Sequence, residues 1–440
     1  MAIGWNAAAG RTVVIVDGVR TPLAKAGASL KDVSAAELGR IAVRELLART
    51  EIDPARLDEV VLGNCGTPAD AANIARVSAL EAGVPRAVPA FTVHRNCASG
   101  IESIAQAYYK IASGMAGAVI AGGTESMSNY PLMMQHDLAE AFARSSRGRS
   151  LPARIAPFLS LKPAALAPRI AIVEGLTDPV SGLNMGQTAE VLAREFGITR
   201  EQQDVFALES HRRTIAAWDA GKFAREVTPV YPAPAFEPVA EDVGPRREQT
   251  LEQLARLKPF FDRRHGTVTV GNACPITDGA AAVLVMDEER ALAEGYRPLG
   301  RLRSFAFAGL DPERMGLGPV FATPDALDRA GVTLADIELI EMNEAFAAQV
   351  LANLAAFESA TFAKEKLGRP AAVGAIDPAR LNVNGGAIAL GHPVGVSGTR
   401  IVLTLLNELR RRGGGLGLAT LCVGGGQGAA VVVESLPEAA

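Results

Sequence analysis

"NCASGIESIAQAYYKIASGMAGAVIAGGTES", residues 96–126, and "GHPVGVSGTRIVLTLLNELRRRGGGLGLATLCVGGGQG", residues 391–428, read alike. Each runs from a turn of small residues through a helix-length stretch into a short apolar strand that ends in glycines. Each has a Ser-Gly pair where the helix begins (Ser99-Gly100 and Ser397-Gly398) and a glycine pair after the strand (Gly122-Gly123 and Gly424-Gly425). The repetition implies two similar halves. It also sets Cys97 and His392 at equivalent helix mouths, where pseudo-symmetric packing of the halves would bring them together. Amide N–H groups at a helix N-terminus stabilise a thiolate. Cys97 therefore reads either as a nucleophile or as a small buried hydrophobe.

Outward from these stretches, "TVVIVDG" (12–18), "AAELGRIAVRELLART" (35–50), "LDEVVLGN" (57–64) and "DAANIARVSALEAG" (70–83) alternate strand-like and helix-like segments. Such alternation predicts an α/β architecture. Residues 130–265 differ, with many prolines, charges and short helical runs. They read as an inserted loop domain. The first half is then 1–129 with 266–288, and the second is 289–440.

The chain has 440 residues, 48% hydrophobic and 21% charged, enough for a large core. A net charge of −4 gives no sign of a nucleic-acid binder. Cys65, Cys97, Cys274 and Cys422 lack CxxC spacing, so neither a zinc knuckle nor a disulfide framework is indicated. The first residues lack the order of a secretory leader, and no charge-free run is long enough to span a bilayer. A soluble cytoplasmic protein is expected. One stretch departs from the acidic balance. Residues 141–173 hold Arg144, Arg147, Arg149, Arg154, Lys162 and Arg169 and no acidic residue. Leu151, Ile155, Phe158, Leu159 and Leu161 interleave with them. A basic amphipathic stretch of this kind suits an anionic membrane surface or a partner protein.

Four small-residue turns carry polar groups: Cys97 in "NCASG", Asn343 and Glu344 in "EMNEAFAAQ" (341–349), His392 in "GHPVGVSG", and Cys422 with its glycine amides in "LCVGGGQG" (421–428). Each has a plain reading. His392 could be structural, Cys422 core, and Asn343 a cap for "EAFAAQVLANL". Jointly they fit thioester chemistry. That chemistry needs a thiolate with an adjacent base, a second base for a proton on an α-carbon, and donors aimed at developing oxyanions.

In this order "NCASG", "NEAFAAQ", "GGAIALGHPVGVSGTR" and "CVGGGQG" resemble the four motifs of the thiolase family, and "TVTVGNACPITDGAAA" (267–282) resembles its pantetheine-side loop. The resemblance covers nearly the whole chain. "ITREQQD" (198–204), "RRHGTVT" (263–269) and "ELRRRGGG" (408–415) are similar to the bacterial fatty-oxidation thiolase subunit that pairs with a hydratase/dehydrogenase. The resemblance implies a five-layered αβαβα fold with an inserted loop domain. It implies transfer of an acyl group between a 3-ketoacyl-CoA and CoA, without metal or redox cofactor, in a homodimer or homotetramer. Cys97 would be the acylated nucleophile, and His392 would take its proton and help bind the thioester oxygen. Cys422 would move the proton of the α-carbon or of the leaving group. Asn343 would hold a water in one oxyanion hole, and the amides of Cys97 and Gly424 would form the other. Arg246 would contact coenzyme A, while Met185, Phe261, Ala273, Cys274 and Phe346 would line the pantetheine or acyl pocket.

Three positions depart from one branch of the family or another, and Asn343 resembles the wider family. Asn343 stands where fatty-oxidation subunits often have His, Asn184 where short-chain biosynthetic enzymes carry His, and Cys274 where many members have a hydroxyl residue. Chain-length preference stays open on these grounds. A ketoacyl synthase would show a second active-site histidine, and a hydroxymethylglutaryl-CoA synthase a glutamate base. A non-catalytic lipid-binding scaffold would lack one of the four polar groups, and all four are present.

Overall fold

The computed structural model describes residues 11–435. The first ten residues, on which the reading of the leader rests, lie outside this range. Nine main strands run in chain order: β1 Val13–Arg20, β2 Glu59–Gly63, β3 Ala90–Val93, β4 Ala118–Ser126, β5 Thr277–Asp287, β6 Gly300–Gly309, β7 Leu339–Met342, β8 Gly415–Val423 and β9 Gln427–Ser435. Their order across the sheet is β7-β8-β9-β6-β1-β5-β4-β2-β3. Helices α1 Ala35–Thr50, α2 Ile74–Glu81, α3 Ser99–Ala112, α4 His136–Arg147, α5 Leu151–Leu159, α6 Met185–Glu195, α7 Arg200–Asp219, α8 Leu251–Ala255, α9 Gly318–Ala330, α10 Ala347–Glu358 and α11 Ser397–Arg411 surround them.

The two halves repeat one pairing pattern. In the first, β2 pairs parallel with β4, β4 antiparallel with β5, and β5 antiparallel with β1. In the second, β7 pairs parallel with β8, β8 antiparallel with β9, and β9 antiparallel with β6. The halves join where β1 meets β6, over only Val14 opposite Arg301 and Ile15 opposite Gly300.

Alternation along the strands builds the layers. Val13 and Ile15 of β1, Val119 and Ala121 of β4, and Val283 and Val285 of β5 face an apolar core that also holds Ile101, Ile104 and Ile111 of α3. The same core takes Ile401, Val402 and Leu405 of α11 with Leu421 and Val423 of β8 and Val431 and Val433 of β9. So α3 and α11 lie between the two sheets. The alternate residues Val14, Val60, Ile120 and Leu284 pack on Leu38, Val43 and Leu46 of α1 and on Ala75 and Ala79 of α2. In the second half Ile340, Met342, Leu418 and Val432 pack on Val320 of α9 and Val350 of α10. The result is five layers, αβαβα. Strands buried on both faces explain why "VVIV" and "AVVVE" read as continuous apolar runs.

Between β4 and β5 the chain leaves the sheet and makes α4 to α8. Reciprocal capping fixes three of these helices: Asn184 and Gln187 close α6, Thr199 and Gln202 close α7, and Thr250 and Gln253 close α8. That capping box accounts locally for the asparagine before Met185. A fully buried ion cluster ties the insertion to the sheet, with Arg20 bonded to Glu226 at 2.8 Å and to Asp242 at 2.7 Å. Among the described residues no helix is long and apolar enough to cross a membrane.

Candidate active site

The Ser-Gly pairs explain how two helix mouths meet. A Cβ built on Gly100 would lie 2.6 Å from the backbone nitrogen of Thr399, and one on Gly398 would lie 2.5 Å from that of Ile101. Helices α3 and α11 therefore touch backbone to backbone in their first turns, which only glycine permits. Thr399 Oγ1 donates to the Gly100 carbonyl across the seam at 3.2 Å. A carboxylate braces the loops in front of them. Glu125, buried at the end of β4, accepts from the backbone N–H groups of Cys65, Gly66 and Gly395 at 3.0, 2.9 and 2.9 Å. Cys65 in turn donates to the Asn96 carbonyl at 3.2 Å. The turn holding Cys97 and the loop following His392 are thus held by one side chain.

Cys97 is partly exposed at the mouth of α3. Burial in apolar surroundings pushes its thiol up, while the Gly424 N–H and then its own N–H pull it down. His392 is buried. Its Nδ1 lies 2.6 Å from Ser397 Oγ, and that hydroxyl is 3.2 Å from the Pro393 carbonyl. A serine has one proton to donate. If it goes to the carbonyl, Nδ1 carries a hydrogen for Ser397 and Nε2 is left as the lone-pair nitrogen. Nε2 has no protein partner among the described residues. Burial first, then the Arg400 charge, hold the imidazole down to about 3, so it is neutral at neutral pH.

Cys422 sits one residue before the end of β8, opposite Gly428. It belongs to an apolar cluster with Ala273 and Phe346, against which Met185, Phe261 and Cys274 pack. All five residues expected along the pantetheine or acyl pocket thus gather at Cys422. The rings of Phe261 and Phe346 meet edge to face at 5.8 Å. The segment before β5 pairs with that before α10, Cys274 N–H donating to the Ala345 carbonyl at 3.0 Å. Burial, then Cys97 and Cys274, raise the Cys422 thiol well above its ordinary value. Burial, then Cys97, push Cys274 up to about 12. Cys65 is likewise raised by burial, then Glu125, with Cys97 among its further causes. All four cysteines, far apart in sequence, converge here.

Asn343 does not cap the following helix: α10 starts at Ala347, and Phe346 precedes it. Its side-chain amide is buried, and neither end is bonded to a protein group among the described residues. Its neighbours are held firmly. Asn382 accepts from Met342 N–H at 2.8 Å and donates both to the Met342 carbonyl and to Glu344, each at 2.8 Å. Ser210 completes the support of Glu344 at 2.6 Å. Arg246 lies apart from these groups, exposed, on a cleft of about 310 Å³ that it shares with Glu248, Gln249, Gln253 and Leu257. Its backbone N–H donates to His211 Nδ1 at 3.3 Å.

Four supporting residues escaped the sequence reading: Asn96, Glu125, Asn382 and Ser397. Ser397 stands in the repeated Ser-Gly pair, and Glu125 directly follows "GGT", so position alone could have raised both. For Asn96 and Asn382 the signal is a left-handed backbone, φ 44° and 45°, which sequence does not display.

Comparison with known proteins places this geometry. Residues 13–289 match the thiolase N-terminal domain and residues 296–435 the thiolase C-terminal domain. The chain is 46% identical over 426 residues to a 3-ketoacyl-CoA thiolase of Yersinia pestis (strain Pestoides F), covering 97% of each chain. It superposes with a TM-score of 0.85 on a Bacillus anthracis acetyl-CoA acetyltransferase at 38% identity, covering 98% of this chain and 100% of that one. Human mitochondrial 3-ketoacyl-CoA thiolase in complex with CoA gives a TM-score of 0.83 at 38% identity, covering 97% of this chain and 98% of that one.

Proposed function

This chain belongs to the thiolase family, and from that premise we propose that its acyl transfer runs through a Cys97 thioester. Its activity is that of a thiolase: a 3-ketoacyl-CoA and CoA give acetyl-CoA and a shortened acyl-CoA, or the reverse. The observation that supports the mechanism is that the backbone N–H groups of Gly424 and Cys97 both lower the Cys97 thiol. Donors that favour negative charge on this sulfur suit the charge that develops on a thioester oxygen bonded through it.

His392 Nε2 takes the Cys97 proton, and the thiolate attacks the 3-keto carbon. The resulting oxyanion collapses, and the bond between carbons 2 and 3 breaks. Its electron pair stays on the acetyl-CoA carbon, which takes a proton from the Cys422 thiol. Acetyl-CoA leaves, and Cys97 keeps the shortened acyl group. The incoming CoA thiol then gives its proton to the Cys422 thiolate, its sulfur attacks the acyl carbonyl, and Cys97 leaves as a thiolate that takes back its proton from His392. Asn343 supports the thioester oxygen of the acetyl unit through a bound water, a role suited to a buried amide with no protein partner. Ser397 holds the tautomer that leaves His392 Nε2 able to accept. Met185, Phe261, Ala273, Cys274 and Phe346 enclose the pantetheine arm or acyl chain, and Arg246 faces the nucleotide end of CoA. No metal or redox cofactor takes part in these steps. Intact mass tests the scheme: wild type given acetyl-CoA gains one acetyl group, and Cys97→Ser gains none of comparable lability. Turnover by an unmodified wild-type enzyme would refute it.

The setting is fatty-acid oxidation in the cytoplasm, as a homodimer or homotetramer working with a hydratase/dehydrogenase. The segment 141–173 supports one further assignment. Helices α4 and α5 form a hairpin closed by Phe142 against Phe158, with Leu151, Leu159 and Leu166 exposed by 71, 80 and 64%. Arg144 pairs with Glu140 and Arg169 with Glu174. Arg147, Arg149, Arg154 and Lys162 have no carboxylate partner among the described residues. Apolar tips among unpaired cations match an anionic membrane surface. Flotation with phosphatidylserine vesicles at low salt, lost in Arg147→Ala/Arg149→Ala/Arg154→Ala, supports this. Capture of the hydratase/dehydrogenase without flotation would reassign the hairpin to that partner.

A further inference from the structure

Asn96 immediately precedes Cys97 and adopts φ 44°, in the left-handed region that asparagine tolerates better than most residues. The conformation is secured at its carbonyl, which accepts from Ser99 Oγ at 2.7 Å and from Cys65 Sγ at 3.2 Å. It sends the side chain across the seam between the halves. Asn96 Nδ2 donates to the Gly424 carbonyl at 2.7 Å. Arg95, one residue earlier, reaches the same turn: its guanidinium bonds Gln427 at 3.2 Å and Glu102 at 2.6 Å and lies 4.1 Å from the Phe307 ring centre. The turn they grip is Gly424-Gly425-Gly426, with φ 85° and 77° at the last two residues. Three successive glycines have the largest backbone freedom to lose. A catalytic donor placed there needs an external tether.

We propose that Asn96 is a positioning residue. Its side-chain N–H holds residue 424 so that the Gly424 N–H stays aligned with the oxygen bonded through Cys97. The nucleophile turn thereby builds its own oxyanion hole on the opposite half of the protein. This inference rests on the reading of Gly424 as an oxyanion donor.

Two variants test it. Asn96→Gly accepts the left-handed backbone without strain and removes only the tether. Asn96→Asp keeps shape and backbone tolerance but replaces the donor by an ionised acceptor facing a carbonyl. When protonated, that aspartate can donate again. Cys97 acetylation by acetyl-CoA is followed by rapid quench and intact mass, beside steady-state thiolysis and the pH profile of Cys97 alkylation by iodoacetamide. Asn96→Gly should acetylate and turn over at least tenfold more slowly, keep KM for CoA within about twofold, and move the alkylation midpoint to higher pH. Asn96→Asp should be slower still at pH 8 and recover towards wild type, as a ratio to it, when pH falls to 5. A merely structural role would lower the melting temperature without that recovery or the alkylation shift. Wild-type acetylation and kcat in Asn96→Gly overturn the proposal and leave the thiolase mechanism standing. If Asn96→Gly does not fold, a flat pH ratio in Asn96→Asp overturns it instead. Absence of acetyl transfer to Cys97 in the wild type would sink the underlying mechanism, whatever Asn96 does.

Discussion

Adding one methyl group at Gly100 should disable the enzyme while leaving it folded. The new Cβ would stand 2.6 Å from Thr399 N and 2.7 Å from Thr399 Oγ1. Ordinary contact begins at 3.4 Å, so about 0.8 Å has to be found. The tighter of the two contacts is with backbone, which cannot swing aside as the Thr399 hydroxyl can. The separation must come from α3 moving against α11. Cys97 lies just before the first of these helices and His392 just before the second. Most of the shift therefore reaches the distance between thiol and imidazole. Misplacing a catalytic group by about 1 Å costs on the order of 10²-fold, so kcat should fall roughly 10- to 100-fold. Overpacking of this kind costs about 1–3 kcal/mol, which lowers the melting temperature by a few degrees. Gly398→Ala should behave alike, since its Cβ would meet Ile101 N at 2.5 Å. Gly175→Ala is the control, because nothing lies within 4 Å of its added carbon. Thiolysis of acetoacetyl-CoA, followed by loss of the magnesium-enolate absorbance, gives kcat, and thermal denaturation gives stability. Wild-type kcat in Gly100→Ala, at whatever melting temperature, would show that the two helix mouths do not need this contact to align the pair.

Three further outcomes are expected. Cys422→Ala should still be acetylated at Cys97 but should no longer exchange the acetyl methyl protons with deuterated solvent; undiminished exchange removes Cys422 as the α-carbon base. Arg246→Ala should raise KM for CoA and barely change kcat, the mark of lost uniform binding; an unaltered KM makes Arg246 a solvated surface residue. His392 is held near pH 3 in the fold and near 6.5 in the unfolded chain, so its contribution to stability is complete above 6.5 and is lost as pH falls towards 3. Between pH 7 and pH 5 the wild type should lose roughly 2 kcal/mol more stability than His392→Asn, read by denaturant titration at both pH values; parallel losses contradict the burial argument.

The five layers are legible only through family likeness, but the meeting of the two helix mouths is legible in the sequence because it is written in residue size. Small residues recur at Ser99-Gly100 and Ser397-Gly398, and the structure uses them as the point of closest approach. The pantetheine-side residues could be named only through family likeness, because their meeting at Cys422 depends on loops from 185, 261 and 273 that no local pattern connects. The plain reading of Asn343 as a helix cap fails because α10 begins three residues later than the apolar run suggests. Glu125 reads as the polar end of a strand, and only the folded chain shows two loops hanging from its carboxylate. Asn96 is hidden for a different reason: its role lies in a backbone angle and a bond to a residue 328 positions away.

The order of strands has a consequence for how the protein is made. β1 lies between β5 and β6, and about 250 residues separate β1 from β5 in the chain. At roughly 5–20 residues per second, a ribosome needs on the order of 10–50 s to deliver the strand that completes the first sheet. During that interval β1 has neither of its two sheet neighbours. Non-local pairing of this sort folds slowly and leaves sticky intermediates. Nascent chains stalled before residue 277 should therefore be held by chaperones, and those extended past residue 287 should be released.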